Sequence, residues 1–247
     1  MNNSFRKILG SATFVTSIAA SGLAHAGTFM VNPTRIDLGV GQLSATLVIR
    51  NDDRMPSVIQ LESRSWEQKD GKDVYLPTKE LLVTPPIVTI SAGSEQIVRI
   101  ALRRPLDDQK ELAYRIFVQE VPPPPQAGFS GLQVALRVSL PVFAKASDNV
   151  LPQSVWSAAY QAREHALRVT LLNKGNAHLQ FQEFQLYAPG NETAVTNQQT
   201  VLYLLPGQSH DWLIKLDPSA HTVPLRLHLK AVTDAGEQDQ DLDVAQP

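Results

Sequence analysis

The amino-acid sequence predicts an all-β protein made of two immunoglobulin-like β-sandwiches, and three observations lead there. Up to about residue 147 the chain is a succession of short runs in which apolar and polar residues alternate, each closed by turn residues. Similar runs resume after a polar, proline-containing stretch, Ser147 to Trp156, and form a second, smaller set. Helical periodicity is nearly absent. The run DDQKELAYR has the composition for one helical turn, but alternation starting at Tyr114 turns it into a strand.

The start of the chain predicts export. Arg6 and Lys7 make a positive region, Ile8 to Leu23 is apolar and small, and Ala24-His25-Ala26 matches a signal-peptidase site. Residues 1–26 are therefore expected to be a signal peptide and the mature chain to begin at Gly27. Gly10, Ser11, Thr13, Thr16, Ser17, Ser21 and Gly22 interrupt the apolar run, and no stop-transfer pattern follows, so no membrane insertion is expected. The chain has no cysteine, so an exported fold must be held by its core without disulfides. Its formal net charge is −2, and losing Arg6 and Lys7 makes it more acidic, which leaves no footprint for nucleic acid.

The first domain is expected over residues 27–147 and reads strand by strand. TFMVNPTRIDLGV is a strand interrupted by Asn32-Pro33, and SATLVIRNDD is a second ending in a polar turn. VIQLESRSWEQKDGKDVYL alternates from Val58 to Trp66, turns at Lys69 to Lys72 and returns. LLVTPPIVTI continues the pattern through a double proline, and SEQIVRIALRR and LAYRIFVQEV add two more runs. The last run is SGLQVALRVSLPVF, residues 130–143, whose even positions from Leu132 to Val142 are all aliphatic. It follows a run of prolines and contains Pro141, and proline belongs on edge strands because it cannot donate to a ladder. This strand is therefore expected at an edge, with one fully apolar face.

The second domain, residues 148–247, is expected from HALRVTLLNKG, HLQFQEFQLYAPG, TVLYLLPGQSHDWLIKL and VPLRLHLKAVTDAG. Asn173 to Asn176 and Pro206-Gly207 supply turn chemistry between them. No catalytic constellation accompanies these strands. His165, His178, His210, His221 and His228 show no ligand spacing and read as surface or structural residues. There is no G-x-S-x-G elbow, no S-x-x-K and no phosphate-binding glycine loop, so no enzyme is expected. Trp66, Trp156 and Trp212 are spread along the chain and read as packing residues.

Four stretches taken in order carry a family resemblance: NPTRIDL, LLVTPPIVTISAGSEQIVRIAL, LAYRIFVQEVPP and LQVALRVSLPVF. Over most of residues 28–145 they resemble the periplasmic chaperones of chaperone–usher pilus assembly. The loop between Pro122 and Gly131 is similar to the short-loop branch, and SLPVF resembles the archaic, spore-coat-like branch. The resemblance implies two immunoglobulin-like domains in an L or boomerang, with a cleft between them. It also implies donor-strand complementation, in which a strand of the first domain fills the groove of a pilin or spore-coat-like subunit that lacks its own last strand. Delivery to an outer-membrane usher follows, in the periplasm, without ATP, metal or cofactor.

The resemblance places the donor residues at Leu132, Val134 and Leu136, with Val138 as a fourth. Burying each contributes about 1.5–3 kcal/mol before association costs are deducted. It places a carboxylate anchor at Arg35, whose guanidinium suits bidentate gripping. The second anchor of the family falls on Pro141, which has no basic group, leaving Arg99, Arg115, Arg137 and Lys145 as candidates. Thr84-Pro85-Pro86 matches a turn whose first proline is cis in the family, and Glu120 is expected in an internal ion pair, with Arg115 or a hinge-side base. The alternative class is a secreted two-domain adhesion or carbohydrate-binding module. That class predicts an exposed aromatic platform or acidic calcium loops, and neither is evident in the sequence.

Overall fold

A computed structural model describes residues 29–122, 134–191, 193–217 and 223–246; the expected leader and Leu132 lie outside these residues. The first ten strands are β1 (Phe29–Asn32), β2 (Ile36–Gly39), β3 (Ser44–Asn51), β4 (Ser57–Lys69), β5 (Lys72–Pro77), β6 (Leu81–Thr84), β7 (Ile87–Ile90), β8 (Glu95–Leu102), β9 (Leu112–Val121) and β10 (Arg137–Lys145). They form one sheet in the order β1-β3-β8-β6 and a second in the order β2-β10-β9-β4-β5, with β7 also on β4. Leu47, Ile49, Ile59, Val98, Ile100, Ile116, Val118 and Val142 fill the space between the sheets with no measurable exposure. Their alternation with polar neighbours is the period-2 pattern of the sequence made three-dimensional.

Two runs that read as single strands are each divided by proline. NPTRIDL breaks at Pro33, so β1 pairs with β3 in one sheet and β2 with β10 in the other. LLVTPPIVTI breaks at Pro85-Pro86, sending β6 to β8 and β7 to β4. A proline has no N–H for the ladder, so the chain leaves one sheet there and joins the other. Asn32-Pro33 and Thr84-Pro85 are both cis, the latter as the family resemblance implied.

The remaining strands are β11 (Ser154–Gln161), β12 (Ala166–Asn173), β13 (Leu179–Tyr187), β14 (Ala194–Leu204), β15 (Ser209–Lys215), β16 (Arg226–Thr233) and β17 (Gly236–Ala245). They follow one hydrogen-bonded path, β14-β13-β16-β17-β11-β12-β15, and their inward residues share a single core. Trp156, Phe181, Phe184 and Trp212 form its aromatic centre, with ring centroids 4.9–6.1 Å apart. The fold is thus two all-β sandwiches. Trp156 and Trp212 are packing residues, and no helix among the described residues is long and apolar enough to cross a membrane.

The two sandwiches meet through a small third cluster of Trp66, Phe143 and Leu205, flanked by Tyr75, Ala113 and Tyr203. The turn after β12 docks into the same seam. Glu111 N–H donates to Asn176 O at 2.9 Å, and Asn176 Nδ2 donates to Gln109 O at 2.8 Å. β10 ends at Lys145, and the last residues of the expected hinge stretch, Ser154 to Trp156, belong to β11.

Candidate functional site

β10 is paired with β9 from Arg137↔Gln119 to Ala144↔Leu112. On its other side β2 covers only Val142 to Lys145. The outer edge of Arg137 to Pro141 therefore has no strand partner among the described residues. Glu120 N–H donates to Leu136 O at 2.9 Å, so the even residues of β10 bond inward to β9 and the odd ones point their N–H and C=O outward. Pro141 sits at an outward position, where a missing donor costs the native ladder nothing.

The apolar stripe divides along this edge. Leu140 and Val142 are buried in the sandwich core, and Val138 is half-buried against it. Leu136 is 36% exposed and Val134 is 52% exposed, so the stripe continues out of the core into solvent. Of the predicted donor residues, Val134 and Leu136 are thus presented, Val138 bridges to its own domain, and Leu132 lies outside the described residues. An edge strand with an open ladder and exposed aliphatic side chains is a template for another strand.

The basic candidates separate clearly. Arg99 lies on the outward face of β8 in the opposite sheet, with Nη1 3.4 Å from Thr46 Oγ1. Arg137 stacks on Phe117 at 4.2 Å, out on the strand edge. Lys145 shares a recess of about 550 Å³ with Arg35, Phe143, His178 and Asp234, and its Nζ lies 3.9 Å from Asp148. Arg115 is the residue directly opposite Pro141 across the β9–β10 ladder.

Arg35 and Arg115 bracket the aromatic residues of the seam. The Arg35 guanidinium is 5.6 Å from the Phe143 ring, and that of Arg115 is 3.8 Å over Trp66 and 5.3 Å from Tyr203. Trp66, Phe143 and Tyr203 lie 5.6–5.8 Å from one another by ring centroid. The two cations differ in their partners. Arg35 Nε donates to Asp37 at 3.0 Å and Nη1 to Asp234 at 3.3 Å; although burial works against the charge, these carboxylates raise its pKa. Arg115 has no ion pair among the described residues, and its buried Nε–H has no acceptor. Burial lowers its pKa, with Tyr75, Asp73 and Tyr203 offsetting only part of that effect. Tyr203 feels both guanidinium groups, which lower a phenol pKa that burial raises.

The ion pair expected for Glu120, with Arg115 or a hinge-side base, does not form among the described residues. Positions 115 and 120 face opposite sides of β9, and Glu120 instead accepts from Ser57 Oγ at 3.1 Å. The buried interdomain ion pair is elsewhere, between Glu111 and His178, and single-strand patterns gave no sign of it because its partners are 67 residues apart. Trp66, Phe143 and Tyr203 were likewise invisible as a cluster, since each strand shows them only as ordinary apolar positions. Among the described residues no group of three or more His, Cys, Asp or Glu could hold a metal ion.

Comparison with known proteins finds relatives of the same fold. Residues 28–147 match the family of pili and flagellar-assembly chaperones, PapD N-terminal domain. The Haemophilus influenzae chaperone protein HifB is 25% identical over 148 residues, which cover 56% of this chain and 60% of HifB. The chain thus matches less than two thirds of that relative's length. Among solved structures, a chain of the CsuC–CsuE chaperone–tip subunit pre-assembly complex, from archaic Csu pili of Acinetobacter baumannii, is similar with a TM-score of 0.62 at 20% identity. That similarity covers 89% of this chain and 99% of the other. A chain of the Salmonella enterica SafA pilin–SafB chaperone complex has a TM-score of 0.58 at 16% identity, covering 88% and 96%.

Proposed function

We propose that this protein, whose residues 28–147 match the pili and flagellar-assembly chaperones, is a periplasmic, non-enzymatic chaperone that completes pilin or spore-coat-like subunits with β10 and passes them to an outer-membrane usher. The observation that carries the proposal is the half-covered edge of β10, where the stripe of the domain core runs outward through Leu136 and Val134. A subunit lacking one strand presents the complementary surface, an apolar groove flanked by an open ladder. Strand addition satisfies the backbone of both partners and buries the alternate side chains of the donor, Leu132, Val134 and Leu136, with Val138 at the inner end. In this reading residues 27–147 bind the subunit, residues 148–247 form the opposing wall of the cleft, and residues 1–26 direct export.

The same reading assigns the end of the subunit chain. A free C-terminal carboxylate in the cleft is gripped by Arg35 and Arg115. Arg115 replaces the missing basic group at Pro141 from the neighbouring strand, and its lack of a counter-ion among the described residues suits an anion. Stacking on Trp66 holds the guanidinium while leaving its edge free.

Coexpression with subunits encoded beside it tests the proposal. The expected result is a stoichiometric complex that survives Ile97→Asp, at a 53% exposed site on the outward face of β8, and is lost on Val134→Asp. Retention of the complex by Val134→Asp would overturn it.

A further inference from the structure

His178 closes the seam between the sandwiches and is set between two carboxylates from different parts of the fold. Glu111, at the entry to β9, accepts from the His178 backbone N–H at 2.9 Å and contacts Nδ1 at 2.6 Å through the same oxygen. Asp234, in the β16–β17 turn, lies 3.4 Å from Nε2, an ionic contact longer than a well-formed hydrogen bond. The imidazole is stacked on Phe143 of β10 at 3.5 Å with rings only 4° from parallel. Both members of the His178–Glu111 pair are buried, with side chains 6% and 4% exposed.

The charges facing this imidazole come from every wall of the recess. Arg35 and Asp37 flank it from β2 and its approach, Glu111 from the approach to β9, Lys145 from the end of β10, and Asp234 from the C-terminal sandwich. Tyr203 of β14 completes the surround, its ring 5.8 Å from His178. A neutral imidazole has one N–H and cannot donate toward both carboxylates; the imidazolium has two and can. Asp234 is shared, because the oxygen that faces Nε2 also accepts from Arg35.

We propose that His178 is a pH-responsive latch: protonated, it ties Glu111 of the first sandwich to Asp234 of the second, and on losing its proton it loosens the seam and leaves Asp234 to compete for Arg35. The latch controls two features at once, the packing behind Phe143 on the donor strand and the availability of the anchoring guanidinium. Its effect on subunit binding rests on the function proposed above; its effect on the seam does not.

The direction of the pH response follows from the surroundings. Burial opposes the charged ring, but Asp234 and Glu111 outweigh it, and the His178 pKa lies above its ordinary value of 6.5. A raised folded-state pKa contributes stability that is complete below about pH 6.5 and is lost as pH rises through the folded midpoint.

The test uses the free, mature protein. The His178 ring resonance is titrated by NMR and Tm is measured from pH 5.5 to 9, in the wild type, His178→Gln and Asp234→Asn. A midpoint above 6.5 is expected in the wild type, and one shifted down in Asp234→Asn. Wild-type Tm should fall across this range relative to His178→Gln, on the order of 3–5 °C for each pH unit by which the midpoint is raised. A wild-type midpoint at or below 6.5, or parallel Tm profiles in wild type and His178→Gln, would overturn the latch. Because no subunit is present, a protein that latches but never binds a subunit would refute the proposed function and leave the latch standing.

Discussion

Arg115 shows how much chemistry can hang on one unpaired group. A half-buried guanidinium without a counter-ion is costly, and neither its stack on Trp66 nor the nearby Asp73 pairs it. A bound carboxylate removes that cost, so Arg115→Met should weaken subunit binding while leaving Tm unchanged or higher. The loss should be roughly 10- to 100-fold, from about 1.5–3 kcal/mol for a charged hydrogen bond. Isothermal titration with a peptide of the subunit's C-terminal strand reads it. With the peptide amidated, wild type and Arg115→Met should bind equally, because the group that Arg115 grips is then absent. Undiminished affinity of Arg115→Met for the free-acid peptide would remove Arg115 from the anchor. The sequence contained this residue among its candidates but not the reason to choose it. That reason is its register opposite Pro141, a fact about the pairing of two strands rather than about either one.

At the scale of elements, β10 is one continuous alternating run serving two environments. Its inner half belongs to the sandwich and its outer half to solvent, and Val138 stands at the transition. Val138→Ala should therefore lower stability by on the order of 1 kcal/mol and reduce Tm, since it opens a gap beside Leu140. Val134→Ala should leave Tm within error and act only on subunit capture. Thermal melts paired with pull-downs separate these outcomes, and equal Tm losses from both would show that the stripe is not divided at Val138. Alternation alone identified β10, because side chains that meet any apolar surface look the same in sequence. What decides between self and partner is where β2 stops pairing, at Val142, and β2 lies about a hundred residues upstream. The same limit explains LLVTPPIVTI, whose period continues across Pro85-Pro86 although its halves enter different sheets.

For the whole molecule, the angle between the sandwiches depends on a contact area much smaller than either core, so the connecting segment matters disproportionately. Residues Leu151 to Gln153 lie across the turn after β12. Leu151 N–H donates to Asn176 Oδ1 at 2.8 Å, Asn176 N–H to Leu151 O at 3.0 Å, and Lys174 N–H to Gln153 O at 2.7 Å. Asn173, fully buried, accepts from Gln153 N–H at 3.2 Å and Gly175 N–H at 3.0 Å, and its Nδ2 donates to Ala177 O and Leu204 O. The turn residues of NKGNAH were readable as a turn, but not as the piece that fastens hinge, first sandwich and second sandwich together. Gly175 permits it through space rather than unusual dihedral angles. A Cβ there would stand 2.3 Å from Leu151 O and 2.5 Å from Gln153 N, both backbone atoms with no side-chain freedom to yield. Gly175→Ala must push the hinge off the turn that also presents Asn176 to Gln109 and His178 to Glu111. Overpacking of this kind costs about 1–3 kcal/mol, which corresponds to roughly 2–12 °C in Tm for a chain of this size. Calorimetry should show unfolding that is broader, or more clearly split into two transitions, than in the wild type, because the two cores no longer report to each other through the seam. The His178 midpoint should fall toward its ordinary value in the same variant, since the carboxylates that raise it lie across the displaced contact. A Gly175→Ala protein with unchanged Tm and an unchanged His178 midpoint would mean that the hinge and the latch are mechanically independent.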